Sequence, residues 1–340
     1  MESRKVQSVG GGTLTVSLPR EWADAAGLAA GDSVDLHAHL DGVLVLQPDA
    51  SADDDTSHVT LPAVGEDRIA TVVRAAYTAG YRTITLDADA SGGLSTGQRR
   101  ALDRAVRGLP GLSVVEEGEG GVQLRYVLDP SEVSVTQSVR QLAFVARSVQ
   151  RDAANALTDG HEAAFDDRTS QANRLSSMVE RHFSRALSRL DEVDALGVAR
   201  PRLAELRTTA RELAGVAADA NRLAAVAGDV NPEDAATAEV AALAGTAREA
   251  VDDATRSVLG DDGVDAAHDA LAATEGLRDD LDDFDRRLFE VADAEYRLVR
   301  AADAVRALTD RAERVAAVGV QHGLRDDAYV AVADAPETPQ

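Results

Sequence analysis

The hydrophobic pattern changes period along this chain. Residues 13–18 alternate, with Leu14, Val16 and Leu18 on one side, which is the two-residue period of a half-buried strand. Residues 5–9 predict a preceding strand that ends at Gly10-Gly11-Gly12. Pro19 stands where a helix can start, because its missing N–H costs nothing there, and residues 20–26 predict a short helix stopped by Gly27. Gly31-Asp32 is a turn, and residues 33–38 and 42–47 predict a hairpin around Asp41-Gly42, whose backbone preferences suit a tight turn. Pro48 and the Asp-, Ser- and Ala-rich residues 49–57 read as a linker.

Past the linker the period lengthens. Ile69, Val72, Val73 and Ala76 mark one face of a helix over residues 66–79, which ends at Gly80. Residues 83–86 predict a strand. Ser95 caps a helix across residues 98–107, closed by Gly108, and residues 112–116 and 122–127 predict a hairpin around residues 118–121. From residue 131 to 320 the pattern is helical almost throughout. The first helix starts at Asp129-Pro130-Ser131-Glu132 and runs to about Thr158, where Asp159-Gly160 breaks it; the second covers 162–193 and the third 202–227. Asn231 as N-cap and Pro232 at the first helical position open a fourth, which runs to Leu259, and two more fill 264–318 with their boundary near Glu290. Such lengths joined by short turns favour antiparallel bundles. At a shift of 102 residues, Leu157, Asp159, Ala164, Asp167 and Leu175 correspond to Leu259, Asp261, Ala266, Asp269 and Leu277, which predicts two tandem three-helix bundles. The expected fold class is therefore multidomain: a β-rich domain at 1–48, a small α/β domain at 58–130, then mostly α, with bundles at 131–228 and 229–325. The tail from Ala331, with Pro336 and Pro339, is expected to fray.

Composition narrows the function. Among 340 residues there are 59 Asp+Glu against 35 Lys+Arg, a net charge of −24, and no Cys. The absence of Cys excludes a disulfide framework, a Cys-based zinc site and a thiol nucleophile. Lys5 is the only lysine, acid is mostly Asp, and apolar bulk is mostly Ala and Val. A surface so rich in carboxylates suits high salt, where screening removes self-repulsion, and this predicts a halophilic, archaeal host. No apolar run approaches the length of a membrane-spanning helix, and residues 1–5 lack the apolar core of a signal peptide, so a cytoplasmic protein is expected. No Ser-His-Asp set with a supporting motif, phosphate-cradling loop or zinc spacing occurs, and Gly10-Gly11-Gly12 lacks the Lys-Ser/Thr of a P-loop. The expectation is a binding protein, not an enzyme.

The strand at 13–18, Pro19-Arg20-Glu21-Trp22, Gly27-Leu28, Gly31-Asp32-Ser33-Val34 and residues 42–46 together resemble the AbrB/SpoVT-type swapped-hairpin domain. That resemblance implies an intertwined homodimer that often binds DNA, with basic side chains near the first strand and the short helix approaching the duplex; here these are Arg4, Lys5 and Arg20. Against those three bases, residues 1–48 carry Glu2, Glu21, Asp24, Asp32, Asp35 and Asp41, and phosphate contacts weaken steeply with salt. Dimerisation alone and DNA binding are both open readings of the domain. Trp22 is expected in the core.

Leu128-Asp129-Pro130-Ser131-Glu132-Val133-Ser134-Val135, with residues 143–156 and 157–164 after it, resembles the PhoU family of phosphate-uptake regulators. The order of the two segments, with the α/β unit between them, is similar to archaeal PhoU-type proteins. This resemblance implies a negative regulator of phosphate transport whose partner is the phosphate ABC transporter's ATPase or a phosphate-responsive regulator. Arginines around 140–151 and 174–189 make the first bundle the better surface for an acidic partner. The alternative is an AbrB-type transcription regulator whose bundles sense or oligomerise. The family also implies divalent metal or iron held by carboxylates at helical spacing. Those clusters fall on Asp167, Thr169 and Asn173, and on Asp269, Leu271 and Glu275, each without its middle carboxylate; Asp279, Asp282 and Asp283 follow Glu275. Asp167, Asp269, Glu275 and Asp279 are the candidate ligands, and a solvated acidic face is the competing reading. His182, beside Phe183 and three residues after Val179, reads as packing rather than ligation.

Overall fold

The structure, a computed structural model, describes residues 3–10, 12–38, 44–48, 58–62, 64–87, 93–118, 120–161, 163–290 and 296–326. The expected linker at 49–57, the turn at Asp41-Gly42 and the tail from Ala331 lie outside these residues. The chain forms two compact units, residues 1–56 and 57–340.

In the first unit, β1 (Gln7–Val9) pairs antiparallel with β2 (Thr13–Thr15), and β3 (Val34–Ala38) with β4 (Leu44–Pro48). Between the hairpins lies α1 (Arg20–Ala25), with Pro19 as the residue before its first turn and Gly27 leaving it at φ 69°. None of the described side chains of this unit is buried. Val6, Leu14 and Leu36 are each more than 60% exposed (63%, 70% and 63%), although they occupy strand positions or positions next to strands. Two-stranded sheets are marginal alone, and none of the described apolar side chains of these two is fully buried.

The second unit opens with β5 (His58–Leu61), α2 (Glu66–Thr78), β6 (Thr83–Asp87), α3 (Thr96–Arg107), β7 (Leu112–Gly118) and β8 (Gly121–Tyr126). The strand order is β5-β6-β8-β7, with β5 and β6 parallel and the other pairs antiparallel. Ile84, Leu86, Val122 and Leu124 alternate onto the face that packs against Ile69 and Val73 of α2 and Leu102 of α3. Ser95 and Gln98 form a reciprocal capping box, and Gln98 Nε2 also donates to Val64 O at 2.8 Å, tying the start of α3 to the segment before α2. Sequence reading missed β5, a strand of only four residues next to an acidic linker.

The helices are α4 (Val135–Asp159), α5 (Asp166–Ser188), α6 (Leu190–Leu196), α7 (Arg200–Val226), α8 (Ala235–Leu259), α9 (Val264–Glu290) and α10 (Tyr296–Arg325). Three expectations are corrected. Residues 130–132 form a separate 3-10 turn capped by Asp129. Val133 is extended after it, so Ser134, accepting from Gln137 N, is the cap of α4. Pro232 lies ahead of the fourth long helix: Asn231 caps a turn there, and Asp234 caps α8. The helix expected at 162–193 is broken at Arg189, whose backbone is extended. Helix ends also revise the repeat. Both α4 and α8 span 25 residues and stop at left-handed glycines, Gly160 and Gly260, which are 100 positions apart rather than 102.

Helices α4, α5 and α7 pack against one another, as do α8, α9 and α10. The two sets meet through α4 on α8 and α7 on α10. The core is mostly Ala, Val and Leu. Along α7, Glu205, Glu212 and Asp219 recur every seven residues and face α10. Glu205 is buried and receives Arg202 (3.0 Å), Arg325 and His322 Nδ1 (3.2 Å). Glu212 receives Arg311 and Arg314, both at 2.9 Å, and their donation holds its carboxyl below the usual range against the desolvation that would raise it. Asp219, also buried, receives Arg311 (3.2 Å) and Arg222. Gly215 makes room for this ladder, since a Cβ there would lie 2.4 Å from the Arg311 guanidinium carbon.

Removing one partner of a buried pair leaves the others uncompensated. Glu205→Ala is expected to lower unfolding stability by about 3–5 kcal/mol. Asp279→Ala, on the exposed face of α9, is expected to change it by less than about 0.5 kcal/mol. Urea unfolding of both variants in concentrated KCl checks the contrast; equal effects would remove the ladder's role.

Candidate functional site

Three groups of residues compete for the functional site. The first is the basic set of the N-terminal unit. Arg4 and Lys5 precede β1 and Arg20 opens α1, and all three are exposed. Arg20 Nε donates to Asp24 Oδ2 at 3.1 Å, one turn along α1, with both side chains largely in solvent. Such an exposed pair is worth about 0–1 kcal/mol, so it leaves Arg20 free to exchange Asp24 for a stronger anion. Trp22, expected in a core, is only partly buried within a single chain.

The second group is the acidic set. Asp167 lies in the first turn of α5; Asp269, Glu275 and Asp279 lie along α9; all four are exposed. Asp167 belongs to one helix set, since α5 packs on α4 and α7, and the other three to the second, since α9 packs on α8 and α10; Glu275 and Asp279 stand one turn apart on α9. Among the described residues no group of three or more His, Asp or Glu is placed to hold a metal ion. Where acids do crowd, near Asp269, an arginine occupies the corner. Arg256 donates to Asp252 (2.8 Å), Asp253 (2.5 Å) and Asp262 (2.6 Å). Burial raises the Asp253 carboxyl, Arg256 opposes that, and Asp252, Asp269 and Asp262 add to it.

The third group was not singled out as a set by sequence reasoning. It lies where the sheet meets α5. His182 is wholly buried, as its packing reading expected, and both ring nitrogens are engaged. Nδ1 is 2.6 Å from Glu192 Oε1, and Nε2 is 3.1 Å from the Tyr126 hydroxyl. Arg185 Nε donates to the other Glu192 oxygen at 2.7 Å, and its Nη1 to Gly80 O at 3.0 Å. Desolvation raises the Glu192 carboxyl, but hydrogen bonds and charge from His182 and Arg185 prevail and hold it below its ordinary range. An ionised Glu192 only accepts, so Nδ1 carries the proton; on a neutral ring Nε2 then accepts from the Tyr126 O–H. Burial keeps that phenol protonated by raising its pKa.

The break after α5 is what makes this geometry. In one continuous helix, residues ten apart are separated by about 15 Å along the axis. The extended Arg189 turns α6 back so that Glu192 reaches His182 and Arg185. Arg181, one turn before Arg185, is also wholly buried, with Nη1 donating to Tyr77 O (2.8 Å) and Tyr81 O (2.9 Å). Its guanidinium stacks 3.8 Å from the Tyr126 ring centroid and 5.1 Å from that of Tyr77. Gly80 permits the approach: its φ is +98°, and a Cβ there would lie 2.7 Å from Arg185 Cγ.

Comparison with known proteins bears on the first group alone. Residues 7–54 match the family model described as "Antidote-toxin recognition MazE, bacterial antitoxin". The N-terminal unit is a domain of the AbrB-like swapped-hairpin type. This is consistent with dimerisation and with a regulatory or antitoxin-type DNA-binding module. No curated protein and no solved structure matches the chain. Among the described residues, no helix is long and apolar enough to cross a membrane.

The junction around Glu192 lies outside the matched segment, and its chemistry has a measurable sign. A carboxyl held below its ordinary 4.5 contributes stability in full above that pH and loses it as pH falls through the lowered native value. Glu192→Gln is expected to cost about 3–5 kcal/mol near neutral pH. The gap between wild type and variant should then narrow as pH drops below 4.5. Urea unfolding as a function of pH checks this, and a gap independent of pH would contradict it.

Proposed function

We propose that this protein is a dimeric, non-enzymatic regulator of phosphate uptake, using its N-terminal domain to pair two chains on DNA and its helices to dock a protein partner. The observation that carries the regulatory part is the N-terminal unit itself. It matches a swapped-hairpin family model, yet buries none of its described side chains within one chain. A second copy supplies the missing core, and each large apolar side chain buried in that way contributes about 1.5–3 kcal/mol. Pairing also doubles the basic set Arg4, Lys5 and Arg20, which compensates in part for the salt sensitivity of phosphate-backbone contacts.

The phosphate part rests on the helices. Their packing, with α4, α5 and α7 in one set and α8, α9 and α10 in the other, agrees with two tandem three-helix bundles of the PhoU type. The segment Leu128-Asp129-Pro130-Ser131-Glu132-Val133-Ser134-Val135, which carries the resemblance, leads into α4. On this reading the protein works in a halophilic, archaeal cytoplasm and restrains the phosphate transport system. Its partner is the transporter's ATPase or a phosphate-responsive regulator. A second reading, favoured by the family match, is an AbrB-type transcription regulator in which the helices sense or oligomerise. Toxin recognition, named in the matched description, would leave the sheet and helices of the second unit without a role.

Genome-wide occupancy of the tagged protein, crosslinked at native salt in phosphate-replete and phosphate-starved cells, tests the proposal. Peaks at phosphate-transport promoters that change with phosphate are expected. They should disappear in the triple variant Arg4→Ala, Lys5→Ala, Arg20→Ala while the dimer persists. Peaks indifferent to phosphate would favour the second reading, and their complete absence with a dimer intact would reduce the domain to a dimeriser.

A further inference from the structure

A cleft of about 260 Å³ opens where the end of β8 and the chain leaving it meet α5. Arg82, Arg181 and Arg185 line it together with Tyr126 and residues 127–130. Arg82 precedes β6, and Arg181 and Arg185 stand one turn apart on α5, so three guanidinium groups converge from two elements. Two carboxylates face this charge. Asp129 is exposed, with Oδ1 accepting from Ser131 N (2.9 Å) and Oγ (2.7 Å). Glu192 has both oxygens engaged by His182 and Arg185. The arginines therefore exceed the carboxylates by one positive charge.

Arg181 makes the cleft unusual. Its residue is 0% exposed, and its Nε and Nη2 have no hydrogen-bond partner among the described residues. Buried donors are almost always satisfied, and an unsatisfied one calls for an explanation. The Tyr126 and Tyr77 rings lie against the guanidinium, and among the described residues the Tyr126 hydroxyl is the one side-chain group near enough to interact with its donors; neither ring supplies the paired oxygens that the Nε and Nη2 edge suits. Burial pushes the group down to about 10 in pKa, still a cation at neutral pH. A planar fork with donors unused, beside two further arginines, fits the paired oxygens of phosphate or carboxylate.

We propose that this cleft binds a small oxyanion, whose oxygens accept from Arg181 and are held by Arg82 and Arg185. Free inorganic phosphate and a small carboxylate share this chemistry, and the experiment separates them. The site is independent of the DNA reading and of the phosphate-uptake reading, since a carboxylate ligand would satisfy it equally.

Calorimetric titration of the full chain, in KCl of fixed ionic strength, is the test, with inorganic phosphate in one arm and acetate in the other. Saturable binding of at least one probe at one site per chain is expected. Arg82→Ala, at an exposed position, should weaken it by about tenfold or more, the effect of losing one hydrogen bond to a charged group. Arg107→Ala, on α3 and outside this cleft, should leave it unchanged. Arg181→Met should abolish binding; because it also removes the donor to Tyr77 O and Tyr81 O, its folding is checked by thermal unfolding alongside the titration. If neither probe binds above the chloride background, or if Arg82→Ala and Arg107→Ala weaken binding equally, the proposal fails. If Arg181→Met does not fold, Arg82→Ala decides the matter alone.

Discussion

Carboxylates held by arginine or histidine, with Glu192, Glu205 and Asp219 buried and engaged at both oxygens, are what the second unit depends on. With only 3% aromatic residues, and with Ala and Val as the bulk of its apolar content, the chain has few large side chains with which to fix helix register. Small residues let helices approach closely but interlock weakly. Direction and register come instead from charge: Glu205, Glu212 and Asp219 set α7 against α10, and Glu192 sets α6 against α5. A buried ion pair adds little net stability over an apolar pair, yet removing half of it is severe. It therefore specifies which arrangement forms more than how strongly it forms. The same Glu192 joins the sheet to the helices, because the groups it holds, His182 and Arg185, touch Tyr126 and Gly80 in turn.

The first unit lies under the opposite constraint. It has neither a buried carboxylate nor a buried apolar side chain among its described residues, and its hairpins leave Leu14 and Leu36 in solvent. The family match over residues 7–54 is consistent with a core shared between two copies.

Much of this layout was legible in the sequence where local chemistry decided it. Gly27, Gly160 and Gly260 end helices because only glycine enters the left-handed region without strain, and Ser95 and Gln98 announce a cap by their spacing. What was missed depended on contacts between distant residues. The break at Arg189 has no glycine or proline to mark it; it exists because Glu192 must reach His182. Pro232 looked like a first helical residue, but Asp234, two positions on, is a better cap. The seven-residue spacing of Glu205, Glu212 and Asp219 was visible, yet acids recur so often here that spacing alone could not separate an interhelical ladder from a solvated face. The candidate ligands Asp167, Asp269, Glu275 and Asp279 are all exposed, Asp167 on α5 and the other three on α9.

In a chain with 59 acidic residues the informative charges are the rarer ones. Arg140 pairs with Asp261, Arg168 with Asp152, Arg207 with Glu180 and Arg278 with Glu313, so an arginine here ordinarily points to the carboxylate it was placed for. Where it meets an acidic cluster it takes the position a cation would otherwise fill, as Arg256 does among Asp252, Asp253 and Asp262. Against that background Arg181 stands apart. It is wholly buried, has two tyrosine rings and two backbone carbonyls for company, and has no hydrogen-bonded carboxylate among the described residues. Acids were abundant enough for any position on this fold to acquire one. A buried guanidinium left with unused donors beside Arg82 and Arg185 is therefore a departure from the chain's own rule, and departures from local consistency are where function is expected to lie.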